Sequence, residues 1–353
     1  MYFDLTEDQK AIRDATANAL HDLLPTDRLV AAFDNANLNT SIWKQLVNLG
    51  LVATLVPSIH EGLDLDLLTL ATIAEQLGYA AAPAPVLSNA LAAWLLAHGG
   101  GAEQQDRWIK SLIDGSAIAA LPTLEGETST LTFTDSERVS GRQRLVEWGG
   151  AAHVMLCSAA GGGLVIIDLR QSGVQVTPVE SVDKTRPLVD IEFQDVHAEY
   201  IPGAAKLTER LRDARLVLSA ASAFGSAMRA LDMSIGYAKE RKQFDQLIGS
   251  FQGLKHQIAN VAAELLPCRP LYWYAAHAWD AIPEDASRAA AMAKAHVTDI
   301  AVRSARLAVE FHGGIGYTWE YPLHVFLKRA MYDRTYLGLP MRHRERAASM
   351  AGW

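Results

Sequence analysis

The sequence predicts an α+β chain in three parts: an N-terminal α-helical domain over residues 1–115, a small antiparallel β domain over 116–203 and a C-terminal four-helix bundle over 204–353. Three observations predict it. Apolar residues recur three and four apart up to about Gly115. The texture then changes to short runs rich in valine, isoleucine and threonine between turn residues. Pro202 and Gly203 mark the return to long apolar helical patterns, which continue to the end. With 353 residues, 50% of them hydrophobic and 20% charged, the chain can bury a large core.

The first helix is predicted to start after Thr6. Thr6 and Gln9 have capping-box spacing, in which hydroxyl and amide satisfy free amides at a helix start. Further helical patterns are "SIWKQLVNLGLVATLV", "DLLTLATIAEQLGYA" and "SNALAAWLLAHGG", each with a glycine near its end. The strands are "STLTFT", "RLVEW", "HVMLCSA", "GLVIIDL", "VQVTPVE" and "LVDIEFQDV". Their short joints leave no room for crossover helices, so they pair antiparallel. Gly161, Gly162 and Gly163 lead from strand to strand, which makes them a hairpin turn and not a dinucleotide loop, because such a loop must open a helix.

The bundle is predicted from Lys206 to about Lys239, from Leu254 to a stop at Pro267, from near Asp285 to about Phe311, and from Pro322 to about Tyr336. Ser219, Ala220, Ala221, Ser222, Gly225 and Ser226 are small enough for close helix approach.

A formal charge of -8 and a pI near 5.8 exclude general attraction to nucleic acid or anionic lipid. Cys157 and Cys268 are far apart and lack metal-ligand spacing, which predicts neither disulfide nor metal site and suits the cytoplasm. The start of the sequence has no basic segment followed by an apolar core, and no apolar run is long enough for a membrane span, so neither a signal peptide nor an anchor is expected.

Two stretches could carry chemistry. In Tyr237 to Gln252, "YAKERKQFDQLIGSFQ", Lys239, Arg241 and Lys242 could merely complement a helix C-terminus while Phe244 and Phe251 plug the bundle end. That reading leaves Gln243 and Gln252 unexplained. An arginine, an amide two places on and an aromatic three places on could instead hold an anionic, aromatic ligand. In Glu310 to Tyr317, "EFHGGIGY", the glycines could end a helix, or let a ligand reach the backbone with His312, Tyr317 and Trp319 around it.

These two motifs, in this domain order, resemble the acyl-CoA dehydrogenase family over nearly the whole chain. "AEQLGYAAAPAP" and "LVDIEFQDVHAEYIP" are similar to further family stretches. The resemblance implies an FAD-dependent enzyme, usually a tetramer, that forms an α,β double bond in an acyl-CoA thioester and passes electrons to an electron-transfer flavoprotein. It implies that Arg241, Gln243 and Phe244 grip the diphosphate and adenine end of the FAD of a neighbouring subunit. Ile248, Phe251 and Gln252 would lie alongside, and Gly313 and Gly314 beside the same cofactor.

Departures from the family pattern are equally informative. The catalytic glutamate's two usual places fall on Ala214 and Leu337, which cannot accept a proton. Asp213 is adjacent to the first, but one helical step turns a side chain by about 100°. Asp333 and Glu320 have weaker claims as surface carboxylates. The flavin loop of the β domain is replaced by "LPTLEGETST" and the strand over the flavin ring by "RLVEWGG", where Trp148 is read as a core residue more readily than as a substitute ring. Glu310 stands where the family usually has glutamine and brings negative charge toward a diphosphate.

An intact diphosphate half and an eroded redox half resemble the mixed tetramers of steroid side-chain acyl-CoA dehydrogenases. The expectation is therefore an α2β2 assembly whose second, homologous subunit carries the base. The alternatives are a homotetramer using Asp213, or a structural relative that binds no flavin. The C-terminal "MRHRERAASM" is read as a solvated basic helix end before a contact for CoA phosphates.

Overall fold

The structure is a computed structural model, and it describes residues 3–26, 29–32, 36–122, 129–134, 137–158 and 163–353. Its helices are α1 (Glu7–Leu23), α2 (Leu29–Ala32), α3 (Ala36–Asn48), α4 (Leu67–Tyr79), α5 (Val86–Gly99), α6 (Ala102–Ile113), α7 (Thr208–Glu240), α8 (Gln252–Leu265), α9 (Cys268–Ala281), α10 (Pro283–His312), α11 (Leu323–Thr335) and α12 (Pro340–Met350). The chain divides into two compact units. One joins residues 1–36, 71–82 and 214–353; the other joins 37–70 and 83–213.

In the first unit, α1 begins with the predicted capping box: Gln9 N–H donates to Thr6 Oγ1 at 3.2 Å, and Thr6 N–H to Gln9 Oε1 at 2.9 Å. The long helix α10 packs against α8, α9, α11 and α12. Glu75, on α4, is buried and accepts from Arg269 Nη2 at 2.7 Å and from the Tyr272 hydroxyl of α9. Gly78 and Gly225 bring α4 and α7 into backbone contact. A Cβ on Gly78 would lie 2.1 Å from Ser222 O, and one on Gly225 would lie 1.9 Å from Glu75 O. The "EQLG" stretch thus has a physical role: its glutamate ties α4 to α9, and its glycine admits α7.

The expected four-helix bundle gains two helices, α9 and α12. Pro267 interrupts rather than stops the chain's helical course. Its φ of -66° and ψ of -11° are helical, so only one amide is lost before α9 resumes.

In the second unit, β1 (Ala119–Ala120), β4 (Val154–Ser158), β5 (Leu164–Asp168) and β8 (Glu199–Tyr200) form one sheet in the order β1-β4-β5-β8. The other, β2-β3-β7-β6, contains β2 (Thr132–Thr134), β3 (Arg138–Glu147), β6 (Val174–Val179) and β7 (Leu188–His197). Pairing is antiparallel except at β1 and β4, which are parallel. Met155, Cys157, Val165, Ile167, Ile191 and Phe193 are among the residues packed into the core of this β region.

β4 and β5 pair directly, Ser158 opposite Leu164, as the triglycine reading requires. Gly161 and Gly162 lie outside the described residues, as does most of "LPTLEGETST". Trp148 is a correction. It follows β3 at φ 61°, half-buried, and is not a core residue.

Candidate functional site

The corner after α7 is a tight hairpin. Arg241 N–H closes the last helical turn on Tyr237 O at 2.9 Å, and Ile248 N–H returns to Arg241 O at 2.8 Å. Between them β9 (Lys242–Gln243) pairs with β10 (Gln246–Leu247) across a two-residue turn, Phe244 and Asp245, at φ 52° and 60°. Such turns favour asparagine and glycine, and a bulky phenylalanine at positive φ is strained. The turn leaves the Phe244 ring outward, 87% exposed, edge-on to Phe251 at 6.2 Å and 88°.

Arg241 is exposed, and among the described residues nothing pairs its guanidinium. Gln243 donates to Lys242 O at 3.0 Å and is otherwise open, Ile248 is half-buried, and Gln252 begins α8 beside its cap Phe251. The free amides of the α8 N-terminus add positive potential at this corner. A Cβ on Gly249 would lie 2.7 Å from Ala238 O, so a glycine lets the corner fold back on α7.

The second motif follows α10. Gly313 has φ 59° and ψ -138°, a conformation for glycine, and added Cβ atoms on Gly313 or Gly314 would meet nothing within 4 Å. The two glycines therefore present open backbone. Glu310 is exposed and lines a cavity of about 550 Å³ with Arg303, Arg306 and Arg334, of which Arg303 pairs with Glu264 and Arg334 with Asp299.

His312 does not offer a donor to a ligand, contrary to its reading in the sequence. It is buried, with Nδ1 2.7 Å from Ala308 O and Nε2 3.1 Å from the Tyr321 hydroxyl. Burial lowers its pKa, which keeps the ring neutral. Its ring stacks on Tyr237 at 4.5 Å and 22°, and Tyr321 closes the group at 5.1 Å from His312. The two motifs meet through this ring cluster. Tyr237 and Tyr321 were not singled out in the sequence; their only signal was their places, one turn before Arg241 and nine residues after His312. Tyr317 is exposed, while Trp319 is engaged by the His324 ring at 4.7 Å and Lys328 Nζ at 4.6 Å.

The two places where the family's base would stand hold an alanine and a leucine. Ala214 is fully buried, and Leu337 sits at φ 59°. Their neighbours join: Arg215 Nη2 donates to the Tyr336 hydroxyl at 2.6 Å. Asp213 is buried, with Arg212 Nε 3.6 Å from its carboxylate. Asp333 is not a surface carboxylate. It is fully buried in a network with Ser222 at 3.1 Å, and Lys294 donates to its backbone oxygen and to Ser219 Oγ. Glu320 is exposed. In the basic C-terminal helix α12, Arg344 is already paired with Asp299.

Two family profiles match the chain: acyl-CoA dehydrogenase, N-terminal domain, over residues 6–116, and acyl-CoA dehydrogenase, C-terminal domain, over residues 202–350. Acyl-CoA dehydrogenase IpdE2 of Mycolicibacterium smegmatis is 27% identical over 341 residues, covering 95% of this chain and 96% of that protein. IpdE2 of Mycobacterium tuberculosis is 29% identical, covering 92% and 91%. Among solved structures, a variant of the Tcur3481-Tcur3483 steroid ACAD superposes with a TM-score of 0.88 at 25% identity, covering 98% of each chain. The ChsE4-ChsE5 complex of Mycobacterium tuberculosis gives 0.91 at 22% identity, covering 100% of this chain and 99% of that one. The chain belongs to the acyl-CoA dehydrogenase family, FAD-dependent oxidoreductases that act on acyl-CoA thioesters.

Proposed function

We propose that this chain is one subunit of a heteromeric acyl-CoA dehydrogenase and supplies the diphosphate- and adenine-binding half of an FAD site completed by a homologous partner. One observation carries the reading: an exposed, unpaired Arg241 beside an outward Phe244 coexists with a buried alanine and a leucine at the places for the base. The residues present fit FAD. Arg241 and the α8 N-terminus suit a diphosphate, Phe244 and Phe251 offer rings, and Gly313 and Gly314 present a backbone surface with space before it.

FAD held there would supply the hydride acceptor for the β hydrogen, with a base taking the α proton to leave the α,β double bond. On this reading the base belongs to the partner, in an α2β2 assembly that passes electrons to an electron-transfer flavoprotein in the cytoplasm. No helix among the described residues is long and apolar enough to cross a membrane. The likeness to a steroid ACAD supports a bulky, steroid-derived acyl group as the substrate class. Asp213 is disfavoured as base because its buried carboxylate is already paired with Arg212.

The test is colour. The chain purified alone is expected to be colourless, and yellow when co-purified with its homologous partner; Arg241→Ala should strip flavin from that complex. One flavin per chain in the isolated protein would overturn the heteromer, and full flavin retention in R241A would overturn the site.

A further inference from the structure

Resting on that reading, we propose that His312, clamped by Tyr237 and Tyr321, is a positioning residue of the flavin site. It sets the spacing between the Arg241 guanidinium and the Gly313–Gly314 backbone without touching the cofactor. Arg241 lies one hydrogen-bonded turn beyond Tyr237, and Gly313 is the next residue after His312. The 4.5 Å ring stack therefore joins the two ligand-facing segments almost at their roots.

A second lock fixes the loop between them. The Tyr321 hydroxyl lies in hydrogen-bond contact with His312 Nε2 at 3.1 Å, so the nine residues that follow His312 are tied back at both ends. Gly316 allows the loop to lie close, since a Cβ there would be 2.6 Å from Val309 O and 3.1 Å from His312 Cβ. With Nδ1 2.7 Å from Ala308 O, both ring nitrogens are engaged and the ring plane is fixed. A ring needed only for packing would require neither bond, and phenylalanine would serve.

The assay is equilibrium flavin binding by the full complex, followed by flavin absorbance and fluorescence at a temperature where far-UV circular dichroism is native for every variant. His312→Phe keeps ring volume and removes both hydrogen bonds; Tyr321→Phe removes only the second. We expect about a tenfold loss of flavin affinity in H312F and a smaller loss in Y321F. His312→Gln, which keeps a donor and an acceptor, should recover most of it. Unchanged affinity in both H312F and Y321F overturns the proposal, and if H312F does not fold, Y321F alone decides. Arg241→Ala is measured in parallel. If R241A keeps its flavin, the site itself is wrong; if R241A loses flavin while Y321F and H312F retain it, only the positioning role falls.

Discussion

Phe244 illustrates how a single residue can be legible in type and opaque in geometry. Its place after Arg241 was readable, but the hairpin around it was not, because "FD" carries none of the glycine or asparagine that signals a turn with two positive φ values. Strain of this kind persists where the surroundings impose it. Glu310 was read as a charge directed at a diphosphate, and the cavity leaves that conflict standing, because its Arg303 pairs with Glu264 and its Arg334 with Asp299. Glu310→Gln should therefore tighten FAD binding about three- to fivefold, worth roughly 0.6–1 kcal/mol, when titrated into the apo complex. His312 escaped the sequence for the opposite reason: a histidine beside glycines looks available, and only the fold reveals that both nitrogens are taken.

At the scale of elements, strong periodicity was readable and interruptions misled. The helix α7 and the strands β4, β5, β6 and β7 fall close to their expected places. α9 was hidden behind Pro267, and the first half of β3 behind its arginines, which alternate outward on an exposed face. Small residues on α7 were rightly read as permitting close approach, but the partners needed the structure: Ser219 and Ser222 bond Lys294 and Asp333 on α10 and α11, while Gly225 and Ser226 meet α4, whose Gly78 accepts a hydrogen bond from Ser226 Oγ at 3.1 Å. Gly225→Ala forces a methyl to within 1.9 Å of Glu75 O. It should cost about 1–3 kcal/mol or more, visible as a lowered Tm in thermal denaturation.

For the molecule as a whole, burial governs how it responds to pH and to reagents. The His343 pKa is pushed down to about 4 by burial first and by the nearby Lys294 cation second, with Nε2 3.0 Å from Leu337 O. An unfolded histidine takes up its proton near pH 6.5, the folded one only near 4. Its contribution is thus complete above about pH 6.5 and is lost as pH falls toward 4, at a cost of about 2–3 kcal/mol. Urea denaturation between those limits should show that slope, and His343→Gln should flatten it. Burial also pushes the Cys157 thiol up to about 12 and, with Glu264 adding to it, Cys268 to about 11. Both thiols should ignore an alkylating reagent at neutral pH until denaturant is added.

The ring cluster at Tyr237, His312 and Tyr321 draws nothing from residues 214 or 337. A substitution at either place therefore leaves the Arg241 corner and the Gly313–Gly314 segment joined as they are. On the heteromer proposed above, gene duplication can hand the two tasks to different copies, and the copy without a base stays indispensable to the one that carries it.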